Sequence, residues 1–366
     1  MWKDKLAAFS SLLSMGSRPL VGLDISSSGV KLVELEEVGG GRHRVLRYHV
    51  EPLPRDAIKD GDIQNFDVVV EAVRRLIKQK GSSKIRHVAI SLPSSMAISK
   101  KMLMPADLDD SEMEAMIEAE VSQFLPFDLS EVNLDFTLLP SSGAVNSSDV
   151  EVLVAAAKKE KVDSRVAVVE AAGLEVAVVD VEVYAVQNAI RLIANQLPAS
   201  AHNQVLALVD IGAYTTQLYV IRNQQLLFSR EQSFGGGQLT YEIQRAFSLS
   251  MEEAEVYKKQ GGLPESYEAD VLIPYMDTLA SEVSRALQFF FASSSYNTID
   301  HVILAGGASL VPKLDKHIEQ RTNIHTIMAN PFAVMSVANT VRAKQLIKDA
   351  PMLMVACGLA MRRFDS

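Results

Sequence analysis

Cysteine is nearly missing: Cys357 stands alone in 366 residues. A single thiol excludes an intrachain disulfide and a zinc site built from cysteines. The fold must therefore rest on its apolar core, as is usual in a reducing compartment. A cationic surplus is missing too. Lys plus Arg number 36 against 45 Asp plus Glu, a formal charge of −9. Such a chain is a poor general binder of nucleic acid, having too few cations to neutralise phosphates. Long uncharged runs are also lacking. The most apolar stretch, Val166 to Val183, is broken by Glu170, Glu175, Asp180 and Glu182, whereas a membrane-spanning helix needs about 20 nearly uncharged residues. The opening segment MWKDKLAAFSSLLSMGS has no secretory layout, because Asp4 and Lys5 stand where an apolar run should begin.

What is present reads as globular. Hydrophobic residues make up 48% and charged residues 22%, and the length suits two or three domains or one duplicated α/β unit. Trp2, Leu6, Phe9 and Leu13 recur at spacings of three and four. Residues 1–17 therefore read as a leader or amphipathic helix, packed on its own protein or docked on a membrane surface or partner. Arg18 to Val50 reads as three strands, hinged at SSSG and at Gly39–Gly41. A helix is expected from Phe66 to Lys80, stopped by Gly81, and a strand from Ile85 to Leu92. The next helix runs from Asp109 to Leu125, with Ser111 and Glu114 in capping-box spacing. VNLDFTLLP and VEVLVAAA are strands parted by the turn-rich SSGAVNSSD. A helix over Val162 to Ala172, the strand VAVVDVEV, a helix over Tyr184 to Asn195 and the connector LPASAHNQ follow.

The most informative feature is an internal repeat. VGLDISSSGVKLVEL begins at Val21 and LALVDIGAYTTQLYVI at Leu206. In each, an apolar strand ends at Asp-Ile, small or hydroxyl-bearing residues follow, and a second strand leaves. Asp24 and Asp210 are equivalent and lie about half a chain apart, which suggests two related halves facing one cleft. Hairpins tipped by Ser, Gly and Thr present backbone N–H groups as an anion nest. Two of them could grip nucleotide phosphates from both sides. The aspartates could accept from the water shell of a divalent cation or orient a water, and Lys31 could neutralise phosphate. The plainer readings are a polar turn at Ser26 to Ser28 and a solvated strand residue at Lys31. Gly235-Gly236-Gly237 precedes a helix from Gln238 to Phe247, so its N–H groups could receive phosphate or ribose. Glu255 and Lys258 sit at i, i+3, either at the ligand or as an exposed ion pair. Gly306-Gly307 turns between a strand and a helix.

The ordered set GLDISSSGVKL, DVEVYAVQNA, LVDIGAYTTQL, FGGGQLTYEI with EEAEVYKK, LAGGASLVPKL and MLMVACGLAMR resembles the actin-like ATPase superfamily, over Leu20 to Arg362. Within it the chain resembles the PilM family of type IV pilus assembly proteins and its relative FtsA. GLDISSSGVKLVELE resembles the opening of that family. MPADLDDSEMEAMIEAEVSQFLPFDLSEVNLDFTLL resembles the subdomain inserted in both. The resemblance implies an α/β actin-like ATPase fold: two related ribonuclease-H-like halves around a nucleotide cleft, with an inserted FtsA-type 1C subdomain. Residues 18–85 and 176–200 would form the first half and 86–175 the insertion. Residues 201–366 would form the second half, closing on the first through its C-terminal helix. The sequence stops at Ser366, soon after GLAMR, where FtsA continues into a linker and membrane helix, and the expectation is that this chain carries none.

The resemblance also implies ATP and Mg2+ as cofactors. Asp24, Ser26, Ser27, Ser28 and Lys31 would line the first phosphate loop, and Asp210, Gly212, Thr215 and Thr216 the second. Asp24 and Asp210 would hold magnesium through water. Glu182 and Asp210 would position the attacking water. Gly235, Gly236, Glu255 and Lys258 would contact ribose or base, and Gly306, Gly307 and Ser309 would flank the adenine. Ser26 stands where many relatives have Gly, and Tyr214 is bulky for a phosphate loop, which implies ATP binding with at most weak ATPase activity. The implied partner is the cytoplasmic N-terminal tail of a PilN-like inner-membrane protein, bound beside the insertion, with other pilus motor or platform components besides. The chain would thus be cytoplasmic and peripheral at the inner membrane. Homo-oligomerisation is left open. Phe124, Leu125 and Phe127 read as core packing before groove residues. An FtsA-like filament former and an actin-fold small-molecule kinase are the competing functions.

Overall fold

Strand β1 (Leu20–Ser26) is buried at six of seven positions, the pattern of a strand covered on both faces. It turns at Ser27 and Ser28 into antiparallel β2 (Gly29–Glu37), with Ser26 opposite Gly29. Gly39–Gly41, all at positive φ, make the next turn into β3 (His43–Pro52). The computed structural model describes residues 19–79, 85–139, 148–194, 197 and 203–365. The expected leader over 1–17, the helix stop at Gly81, and most of the SSGAVNSSD turn and LPASAHNQ connector lie outside them.

The first sheet has six strands in the order β10-β6-β1-β2-β3-β16. Here β6 is His87–Leu92, β10 is Glu175–Val181 and β16 is Ser336–Val337. The small hairpin β4 (Ile58–Lys59) and β5 (Asp62–Ile63) lies apart. Helix α1 (Phe66–Ile77), capped by Asn65, lays Val69, Val70, Val73 and Leu76 on the sheet.

The insertion is smaller than residues 86–175. Parallel pairing of β6 with both β1 and β10 makes it an interior strand of the first sheet. Helix α3 (Lys159–Ala171) buries Val168 and Val169 in the same core as Val21 and Val69. What is inserted is β7 (Ala97–Pro105), α2 (Asp110–Ser122), β8 (Val132–Leu138) and β9 (Asp149–Lys158), a three-stranded sheet in the order β7-β9-β8. Met113, Ile117 and Val121 of α2 cover it, and Phe124 and Leu125 pack on that core. The cap of α2 is Asp109 with Glu112, not Ser111 with Glu114. The Asp109 carboxylate accepts from both Ser111 N–H and Glu112 N–H, which satisfies two orphan donors at once.

Nor do residues 201–366 form one half. The second sheet runs β13-β12-β11-β14-β15, built from β11 (Val205–Ile211), β12 (Thr216–Arg222), β13 (Gln225–Gln232), β14 (His301–Ala305) and β15 (Thr326–Met328). Helices α5 (Gly236–Phe247), α6 (Met251–Gln260), α7 (Ile273–Ser293) and α8 (Leu314–Thr322) accompany it. The chain then returns to the first half. β16 pairs with β3, and Phe332, Leu346 of α9 (Ala343–Asp349) and Leu353 cover Val33, Leu35 and Val45. An open apolar sheet edge and face are thereby closed.

A further core joins the halves. Leu20, Ala89 and Val181 from the first meet Leu206, Tyr219 and Ile303 from the second, with α4 (Glu182–Ala194) and α10 (Met354–Met361) packed among them. The approach is close enough to demand glycine. A Cβ on Gly358 would lie 1.7 Å from Ala185 O, and one on Gly22 would lie 2.0 Å from Ala356 O. Among the described residues, no helix is long and apolar enough to cross a membrane.

Candidate functional site

The repeat is visible in the register. Asp24 pairs with Lys31 across the first hairpin and Asp210 with Gln217 across the second. Each leading strand also has a parallel neighbour on its other side, β6 for β1 and β14 for β11. Asp24, Ser26 and Lys31 are brought into direct contact. Lys31 Nζ donates to Asp24 Oδ2 at 2.6 Å and to Ser26 Oγ at 2.9 Å, and Ser26 Oγ donates to Gly29 O at 3.0 Å. Lys31 is therefore not a solvated strand residue. Ser27 is half-buried and Ser28 exposed at the tip.

Glu182 opens α4 and joins this group electrostatically. Burial, reinforced by Asp210 and Asp24, pushes its carboxyl up to about 8, against the pull of Lys31 and Arg165. Burial likewise pushes Asp210 up to about 6, with Lys31 opposing and Asp24 adding. Burial would lower Lys31, but Asp24, Asp210 and Glu182 together hold it above the usual lysine range. The base of the cleft thus gathers three carboxyl groups, Asp24, Asp210 and Glu182, around Lys31 and Arg165. Among the described residues, no three His, Cys, Asp or Glu side chains are grouped to hold a metal directly.

This grouping has a consequence for pH. An acid whose folded pKa is raised keeps a proton that the unfolded chain has already lost. Stability then falls as pH rises from the ordinary carboxyl range through the folded value. Urea unfolding of the ligand-free chain should give lower stability at pH 8 than at pH 6, with a slope on the order of 1 kcal/mol per pH unit. Glu182→Gln should flatten that slope. A stability that rises over the same interval would contradict the arrangement.

At the second hairpin the glycine run serves the fold. Gly236 N–H donates to Gly212 O at 2.9 Å and Gly237 N–H to Ala213 O at 2.6 Å, and a Cβ on Gly235 would lie 2.6 Å from Gly212 O. These N–H groups of α5 are spent on the hairpin before any phosphate could use them. Two hydroxyls are also turned inward: Thr216 Oγ1 donates to Phe234 O at 2.6 Å and Ser309 Oγ to Gly306 O at 2.7 Å, both residues being buried. Gly212 and Thr215 close the turn through Gly212 N–H to Thr215 O at 2.9 Å. Gly306 has φ +84°, and a Cβ there would meet Ile211 O at 2.3 Å and Asp210 Oδ1 at 2.4 Å. Only glycine lets the end of β14 lie beside Asp210. Gly307 is exposed and Ala308 faces Gly236.

Glu255 and Lys258 are more than an exposed pair. Lys258 Nζ lies 2.5 Å from Glu255 Oε2, and both bond to Thr240 Oγ1 at 2.6 Å, with Lys258 also donating to Gly236 O at 3.2 Å. The network ties α6 to the start of α5. A cavity of about 290 Å³ opens alongside, lined by Arg55, Tyr214, Phe234, Gly237 and Tyr241 among others. Across its mouth the Arg55 guanidinium of the first half lies 5.6 Å from the Tyr214 ring centroid of the second.

Arg55 and Arg165 are the site residues not anticipated from sequence. Arg165 is buried, with Nη1 2.9 Å from Ile25 O and Nη2 2.9 Å from Gly61 O. A signal was available: Arg165 shares the helical stripe of Val168, Val169 and Ala172, and a guanidinium on an apolar stripe needs buried acceptors.

The profile of the type IV pilus assembly protein PilM family matches residues 22–364. A solved PilM–PilN type IV pilus biogenesis complex superposes with a TM-score of 0.80 at 27% identity, over 96% of this chain and 100% of that one. The ethanolamine utilization protein EutJ from Carboxydothermus hydrogenoformans gives 0.56 at 16% identity, over 98% and 97% of the two chains. MreB5 of Spiroplasma citri, bound to ADP, gives 0.50 at 14% identity, over 96% and 99%. The last two show the fold alone, which is the actin-like ATPase fold implied by the order of the motifs.

Proposed function

The chain belongs to the type IV pilus assembly protein PilM family, and from that premise we propose that it is a nucleotide-binding adaptor. It holds ATP with Mg2+ between its two hairpins. It binds the cytoplasmic N-terminal tail of a PilN-like inner-membrane protein beside its insertion, and so is peripheral at that membrane. The observation that carries the nucleotide reading is the meeting of Asp24, Lys31, Glu182 and Asp210 where the two hairpins face each other. Burial and, after it, mutual repulsion raise Glu182 and Asp210; a hydrated Mg2+ would offset the repulsion and would make the acidic floor tolerable to phosphates. The hairpin tips at Ser27, Ser28 and Thr215 would supply N–H groups, and Lys31 a cation. The partner reading is supported by the likeness to the PilM–PilN complex.

Nucleotide shifts the halves only through differential affinity for their arrangements. Titrating a fluorescent PilN-type tail peptide into the full chain should give saturable binding, with an affinity that ATP·Mg2+ changes by about fivefold or more. No binding in either condition would sink the adaptor; equal affinities would remove only the coupling.

A further inference from the structure

Helix α3 starts at Lys159, the residue after the last of β9, the central strand of the inserted sheet. No loop separates the insertion from the helix. Three side chains on its first two turns reach in different directions. Lys159 Nζ donates to Ser130 O of the insertion at 2.5 Å. Lys161 Nζ lies 2.7 Å from Asp62 Oδ1 of the β4–β5 hairpin. Arg165 holds Gly61 O and, at 2.9 Å, Ile25 O of the first phosphate hairpin. At 1.5 Å per residue, Lys159 and Arg165 are only about 9 Å apart along the axis. Ile25 lies next to Asp24 and Ser26, the two groups that hold Lys31. At the other end Lys158 Nζ stacks 4.2 Å from the centroid of Phe127, on the segment between α2 and β8.

We propose that α3 is a strut linking the inserted subdomain to the first phosphate hairpin, with Arg165 as the positioning residue at its inner end. The inference rests on the nucleotide reading above and adds its regulation. The fork of a guanidinium suits the role, because one rigid plane fixes two carbonyls at once. Arg165 is buried, so its grip on Ile25 O and Gly61 O is not readily exchanged for water. Ligand at the hairpin and occupancy of the insertion thus bias one rigid element. Position between two sites is not itself coupling, so the test must read transmission.

Hydrogen exchange of the full chain, with and without ATP·Mg2+, does so. In the wild type, nucleotide should slow exchange over residues 25–29 and 212–216, and also over 129–136 in the insertion by about fivefold or more. Lys159→Met cuts the exposed outer end of the strut with little risk to folding; protection of both hairpins should persist in it while the insertion returns to its nucleotide-free rate. In Arg165→Lys, which keeps the charge but not the fork, the insertion should also lose its nucleotide-dependent protection at saturating ATP·Mg2+. Insertion protection that survives in both variants would overturn the strut. Hairpin protection without insertion protection in the wild type would overturn it too, leaving the nucleotide reading intact. No protection at either hairpin would overturn both.

Discussion

Lys31→Met is expected to weaken ATP binding by about a hundredfold or more, measured by calorimetry or displacement of a fluorescent analogue. A charge-assisted bond to phosphate contributes about 1.5–3 kcal/mol, and the upper part of that range is already about a hundredfold in Kd. The loss is compounded at the floor of the cleft. Lys31 is the group 2.6 Å from Asp24, and it also draws down the carboxyls of Glu182 and Asp210. Removing one member of a buried pair costs about 3–5 kcal/mol when the other stays charged. Without Lys31 the carboxyls of Glu182 and Asp210, already raised by burial, lose a charge that lowers them, so the destabilisation of Lys31→Met should be larger at pH 8 than at pH 5.5. In the wild type the lysine itself acts in a higher pH window. Its folded pKa is raised, so its contribution is complete at pH 7 and disappears only above the ordinary lysine range. Lys31→Arg, which restores charge with different geometry, should recover part of the affinity. A Lys31→Met protein that binds ATP within threefold of wild type would remove this residue from the nucleotide site.

Gly358→Ala should lower stability by about 3 kcal/mol or more in urea denaturation, at the top of the range for overpacking. Gly358 lies inside α10, where alanine would ordinarily gain up to about 1 kcal/mol in helix propensity. Sterics decide the outcome. The added methyl would stand 1.7 Å from Ala185 O and 2.4 Å from Ala185 C, and a backbone has no rotamer to retreat into. Helix α10 must then move off α4, opening the core shared by both halves. Gly307→Ala is the control: nothing lies within 4 Å of its added methyl, and stability should change little. A loss under about 1 kcal/mol at Gly358 would mean that α10 and α4 are farther apart than the packing described.

The two hairpins were legible because their signal is local. An apolar strand, Asp-Ile and a small-residue turn lie within a dozen residues, and the register repeats at Asp24–Lys31 and Asp210–Gln217. The edges of the insertion were not, because β6 and β7 are both β-rich and only their pairing partners separate them. β6 finds β1 and β10, whereas β7 finds β9, and pairing across such distances leaves no trace in composition. The glycine run at 235–237 shows a different limit. Its local chemistry favours an anion at a helix start, yet Gly212 O and Ala213 O, from a hairpin 24 residues upstream, occupy the donors. The stripe of Arg165 marks it as buried, but its acceptor Ile25 O is far away in sequence.

The pairing of Ser336–Val337 with Arg44–Val45 sets a schedule for synthesis. The first sheet must wait for a strand made roughly 290 residues later, roughly 15–60 s at ordinary translation rates. Until then Val33, Leu35 and Val45 lack the cover of Phe332, Leu346 and Leu353, and the β3 edge stands open to foreign strands. The nascent protein thus spends most of its synthesis with that edge and face of its first sheet unpaired.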